Sequence, residues 1–306
     1  MLIYYPARAQ ESTPLFAVYK KSPAINFVEI KESGTYISAA RNRAAVATGT
    51  INLFIFNKEK KFNLASFGFR INTRIAQFFH KKIKILKVES LAELAEKANS
   101  LMEVYHDKMI RHLWFDSHGK YKTGYAMFNI GKDTLTIKNI LDPAYAGKME
   151  QLTAYCDENS QVTIGACYAA AAFKRPANKY LEEHKMFGDS LLLAMSSIFR
   201  LSPVYGTESW VMVKPFLFGK HWGIAGYPIE SKYRDEIYRP VWERIGAWKK
   251  ATAGNDNITS VITPFIGKDG ELRFNDQDYL SLKKHQKRQL RKLKKLKPGV
   301  YDLHRK

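Results

Sequence analysis

The sequence predicts an α/β protein with a mostly parallel central sheet and helices on both faces. Three observations lead there. Apolar runs of strand length alternate with helical segments through the middle of the chain, the pattern of parallel strands joined by crossover helices. Two of those runs end on a reactive side chain followed by small or turn-prone residues: Leu113-Trp114-Phe115-Asp116-Ser117-His118-Gly119 and Val162-Thr163-Ile164-Gly165-Ala166-Cys167-Tyr168. With 306 residues, 45% hydrophobic and 13% aromatic, the chain is also long and apolar enough to bury a full core.

Taken in order, residues 1–50 read as mixed, with short strand-like pieces at 15–19 and 25–30 and a basic patch near Arg41 and Arg43. Residues 51–57 form a buried strand, 70–82 a short helix and 83–89 an alternating strand. Ser90, with Glu93 three residues later, is a capping box that opens a helix over 91–106. The His118 strand follows, then two short strands over 125–137 that turn at Gly131-Lys132. Residues 142–159 read as a helix, the run from Val162 to Cys167 as the Cys167 strand, 188–200 as an apolar helix and 203–213 as another strand. A helix over 233–251 and a hairpin over 258–274, turning at Lys268-Asp269-Gly270, complete the pattern.

Charge and cysteine usage narrow the function classes. The net charge is +20, which points to a polyanionic partner or surface. Residues 281–306 hold eleven Lys or Arg against the single acid Asp302, a local +10. Leu290, Leu293 and Leu296 fall on one narrow stripe if this tail is helical. Anionic lipid, nucleic acid or a polyphosphate would suit such a surface, and so would plain solvation. Two cysteines, Cys156 and Cys167, make no disulfide framework. No run reaches the ~20 apolar residues of a membrane span, and the start lacks a signal-peptide core. A cytoplasmic setting is expected, or secretion as an effector without a conventional signal peptide. No zinc spacing, EF-hand loop or Gly-rich phosphate loop is present, so no metal or cofactor is expected.

His118 and Cys167 lie 49 positions apart. A thiol needs a base to become a nucleophile, and imidazole is the usual one. Adjacent parallel strands would bring both to one sheet edge, which makes a cysteine hydrolase with a Cys167–His118 dyad the leading expectation. The plainer alternative is that Cys167 is a small buried hydrophobe among alanines. Asp116 and Ser117 are candidates to orient His118, whereas His106 and His112 are expected on the surface and Cys156 in the core.

The order of strand, His-Gly, hairpin, helix, strand and Cys resembles the caspase, gingipain and clostripain clan of cysteine peptidases, in which caspase His precedes Cys by about 50 residues. From His118-Gly119 through Gly131-Lys132-Asp133 to Gly165-Ala166-Cys167, it is similar to the caspase-like domain of large bacterial adhesins and the self-cleaving domain of large bacterial toxins. The likeness covers about 51–212. Gly165-Ala166-Cys167-Tyr168 stands where caspases have Gln-Ala-Cys, and Ser209-Trp210-Val211 where they have Ser-Trp-Arg, so cleavage after aspartate is not implied.

The resemblance implies a caspase-like three-layer sandwich over 51–275, with 1–50 as an extension and 276–306 as a basic helical tail. It also implies endopeptidase activity on protein or peptide substrates, an oxyanion hole from the Gly119 and Cys167 N–H groups, and a substrate pocket offered by Tyr205, Glu208 and Trp210. Self-processing and activation by inositol phosphate are known among the toxin relatives. A different expectation is an inactive caspase-like scaffold that binds nucleic acid or anionic membrane through the tail.

Overall fold

The structure is a computed structural model and describes residues 33–58, 64–119, 126–175, 184–207, 211–213, 224–225, 248–261 and 264–274. The strand-like pieces at 15–19 and 25–30, most of the 233–251 helix and the basic tail fall outside them.

Seven strands make the central sheet: β1 (Gly49–Asn57), β2 (Ile83–Val88), β3 (Lys108–Asp116), β6 (Gln161–Gly165), β9 (Val204–Thr207), β12 (Trp248–Thr252) and β13 (Asn255–Val261). Their order is β13-β12-β9-β6-β3-β1-β2. The five from β9 to β2 are parallel, and β12 and β13 add antiparallel at one edge. The helices are α1 (Ser33–Val46), α2 (Leu64–Phe79), α3 (Leu91–Val104), α4 (Pro143–Thr153) and α5 (Gly188–Ile198). Among the described residues, four strand pairs lie outside the main sheet. They are β4 (Met127–Ile130) with β5 (Asp133–Thr136), β7 (Ala172–Arg175) with β8 (His184–Phe187), β10 (Met212–Val213) with β11 (Ile224–Ala225), and β14 (Pro264–Ile266) with β15 (Leu272–Phe274).

Period-two alternation divides the core. Phe54, Phe56, Trp114, Tyr205 and Trp248 gather on one face under Phe69 and Ala76 of α2 and Ile266 and Leu272 of the β14–β15 hairpin. Phe115 points to the other face, against Phe128 of β4 and Phe199 after α5. On that side α3 packs on α4 and α4 on α5. Helices therefore cover both faces. Gly165 is required in β6 because the Trp114 indole crosses it; a Cβ there would come within 2.3 Å of the ring.

Several local expectations change. His112 is 0% exposed, not a surface residue. A register shift between Ile51 and Asn52 leaves Arg111 as an extra residue, and His112 shares the inward face with Trp114 and Phe54. Its Nδ1 lies 3.1 Å from the Gly270 carbonyl, which can only accept, so Nδ1 carries the proton. Its Nε2, 3.2 Å from Thr163 Oγ1, then accepts from that hydroxyl. Burial pushes the His112 pKa down to about 4.

Arg43 is not free for a surface patch either. Its guanidinium donates to the carbonyls of Lys108, Met102 and Tyr105 at 2.9, 2.6 and 2.8 Å, closing the C-terminal end of α3. Residues 248–252 end as strand rather than helix, because Trp248 packs against Trp114 and the segment pairs with both β9 and β13. The 203–213 strand divides into β9 in the main sheet and β10 outside it. The 142–159 helix stops at Thr153, where Tyr155 and Cys156 turn back onto Leu152 and Thr153. Among the described residues, no helix is long and apolar enough to cross a membrane.

Candidate functional site at the ends of β3 and β6

Strands β3 and β6 are adjacent and parallel, with Asp116 opposite Gly165 at their carboxyl ends. His118 and Cys167 each follow two residues later, so the register brings both segments to the same end of the sheet. Gly119 lies tightly against the Cys167 backbone; a Cβ on it would fall 1.7 Å from the Cys167 carbonyl oxygen. Only glycine permits this approach.

The loop after β6 is a buried turn. Ala166, Ala169, Ala170 and Ala171 are fully buried, whereas Cys167 is partly exposed. Tyr168 has φ +62°, the left-handed region, so the chain reverses immediately after the cysteine. The Ala170 N–H donates to Thr207 of β9 at 2.9 Å, and the Gly188 N–H at the start of α5 donates to Ala171 at 2.8 Å. These bonds anchor the turn to two core elements. Cys167 is therefore the residue of this alanine-rich turn that keeps some exposure, although its thiol lies largely buried. Cys156, 1% exposed, is core, and burial pushes its thiol up.

Opposing causes act on Cys167, and burial is the largest of them. Burial pushes its thiol pKa up, while backbone N–H groups of Val211, Cys167 and Gly119 favour the thiolate and Asp116 opposes it. The Val211 N–H donates to Cys167 Sγ at 3.3 Å. Asp116 is answered by Arg70 of α2, whose Nε lies 3.6 Å from the carboxylate and whose Nη2 donates to the Asn57 carbonyl at 2.9 Å.

On the His118 side, Ser117 contacts the backbone. Its hydroxyl donates to the His118 carbonyl at 3.2 Å and accepts the Asn129 N–H at 2.6 Å. The β4–β5 hairpin that carries Asn129 is itself held at β1. Asn57 donates through Nδ2 to the Asn129 carbonyl at 3.0 Å and accepts the Gly131 N–H. Asn57 gave no sequence signal beyond being a polar residue that ends an apolar strand.

Of the residues expected to form a substrate pocket, Tyr205 is 4% exposed and packs in the aromatic core, where burial pushes its phenol up. Val211 packs against the same cluster and turns its N–H to the sulfur. Glu208 and Trp210 lie outside the described residues. Among the described residues, no group of three or more His, Cys, Asp or Glu side chains is placed to hold a metal ion. No protein-family model matches the chain, and no curated protein matches it either.

Proposed function

We propose that the protein is a caspase-like cysteine endopeptidase using Cys167 as nucleophile and His118 as proton carrier. The observation that carries this reading is the set of backbone N–H groups of Val211, Cys167 and Gly119 around the largely buried sulfur of Cys167, at the shared end of β3 and β6. Donors at the sulfur favour its thiolate form, which is the nucleophile that acyl transfer requires.

The raised thiol pKa favours proton transfer during attack over a resting thiolate–imidazolium pair. The Cys167 sulfur forms a bond to the scissile carbonyl carbon as its proton passes to His118. The carbonyl oxygen becomes an oxyanion held by the Gly119 and Cys167 N–H groups. The C–N bond then breaks, His118 returns the proton to the departing amine, and water hydrolyses the thioester. Ser117 fixes the His118 backbone, and Arg70 limits the effect of Asp116 on the thiol.

The test is thiol alkylation mapped by residue, run beside peptidase assays on a mixed peptide library. Labelling at Cys167 well ahead of Cys156, slowed by His118→Ala, together with cleavage lost in Cys167→Ala, is the expected result. Equal, slow labelling of both cysteines and no cleavage, with or without inositol hexakisphosphate, would sink the peptidase reading. Burial of the thiol favours one competing reading, an inactive scaffold of the same fold whose basic tail binds nucleic acid or anionic membrane. That outcome leaves the scaffold standing.

A further inference from the structure

Among the described residues, strand β2 is the last of the sheet, and it runs along the floor of an open groove of about 620 Å³. Arg74 and Gln77 of α2 form one wall, Lys97 and Ser100 of α3 the other, and Ile85 and Lys87 lie on the floor. The N–H groups of Asn52 and Lys58 donate to the Lys82 and Val88 carbonyls at 2.9 and 2.8 Å. In a parallel pair this fixes the alternation, so the backbone groups of Ile83, Ile85 and Lys87 face away from β1. Gln77 Nε2 donates to the Ile83 carbonyl at 3.2 Å, and Lys97 Nζ to the Lys87 carbonyl at 2.8 Å. Between these two capped positions, the Ile85 N–H and C=O point along the groove.

The groove is also basic. Burial first, then the charges of Arg74 and Arg70, push the Lys87 ammonium pKa down. Lys97 is held by Glu93 at 2.8 Å, and Lys84 lies 4.3 Å from the Tyr105 ring centre. Pairing two copies through β2 would set Lys84 and Lys87 of one against those of the other, which edge lysines characteristically prevent. Carboxylates in the same place would meet cations.

We propose that the β2 edge is a docking slot for an acidic, extended segment of a partner protein. The segment adds as a strand through the Ile85 backbone and sets its carboxylates against Arg74 and Lys87. The slot lies at the outer edge of β2, which pairs with β1 on the side away from β3 and β6, so the inference does not depend on the chemistry of Cys167.

The test uses the full chain and a fluorescent peptide of alternating Glu and Val, followed by anisotropy and by residue-resolved amide hydrogen exchange. Saturable binding should protect the Ile85 and Lys87 amides. It should weaken roughly tenfold in Lys87→Glu and in Arg74→Glu, each checked for native circular dichroism. A peptide of identical charge, N-methylated at alternate residues, should not bind the slot or protect those amides. Binding that survives N-methylation without protecting Ile85 would overturn the proposal in favour of a general polyanion surface. Absence of saturable binding, or protection of Ile85 through self-association alone, would overturn it as well.

Discussion

Burial and three backbone N–H groups pull the Cys167 thiol in opposite directions, and burial is the larger. Its alkylation rate should therefore reach half-maximum at higher pH in the native protein than in urea, followed by mass spectrometry across pH. His118→Ala should lower peptidase turnover by about 10²–10⁴-fold, the range for loss of a general acid–base. His112 provides a second pH signature. Its folded pKa of about 4 lies below the ordinary value of 6.5, so the unfolded chain binds the extra proton first. Stability from this group is whole above pH ~6.5 and drains away towards pH ~4, a loss of about 3 kcal/mol. Urea titrations should show this drop in the wild type and lack it in His112→Gln. The sequence pointed to Cys167 and His118 because each closes an apolar run. The burial of His112 was legible only in part: it shares parity with Trp114, but the polar partners that accept it come from Gly270 and Thr163, far away along the chain.

Hairpin β4–β5 links the end of β1 to His118 through Asn57, Asn129 and Ser117. It also caps a helix: Asp133 Oδ2 accepts the Leu91 N–H at 2.7 Å, and the Lys132 N–H donates to the Glu89 carbonyl at 2.8 Å. Asn57→Ala would leave the Asn129 carbonyl and Gly131 N–H without this partner, costing about 1–3 kcal/mol. It should also slow Cys167 turnover, although Asn57 touches neither reacting residue; turnover equal to wild type would show that the hairpin does not position His118. The hairpin was legible because Gly131, at φ +60°, supplies the positive dihedral its turn needs. The start of α3 was legible too, since Ser90 Oγ accepts the Glu93 N–H at 3.1 Å. The Glu93 carboxylate reaches the Glu89 N–H instead of Ser90, engaging Lys58 and Lys97 on the way. Strand β12 was not legible: Trp248-Lys249-Lys250 has no alternation strong enough to oppose a helical reading, and its pairing with β9 and β13 decides the matter.

Across the whole molecule, half of the +20 charge resides in residues 281–306. Deleting them should reduce affinity for a DNA duplex and flatten its dependence on salt. A protein neutralising several phosphates loses roughly 10³-fold or more between about 50 and 200 mM salt. Retained affinity and slope in the truncated protein, measured by fluorescence anisotropy, would move the polyanion site to the body. That β2, β1, β3, β6 and β9 run parallel was legible in apolar runs alternating with helices, whereas their order in the sheet was not. The antiparallel addition of β12 and β13 did not, because edge strands carry a weaker hydrophobic pattern and depend on contacts distant in sequence.

Asn52, in the first strand, donates to the Asp269 carbonyl at 3.0 Å across 217 residues of chain, and His112 waits 158 residues for Gly270. The sheet centre is thus translated long before the turn that satisfies its polar side chains leaves the ribosome. A chain cut short of residue 269 would lack both of these acceptors together with the hairpin that covers this face, so its core would form incomplete.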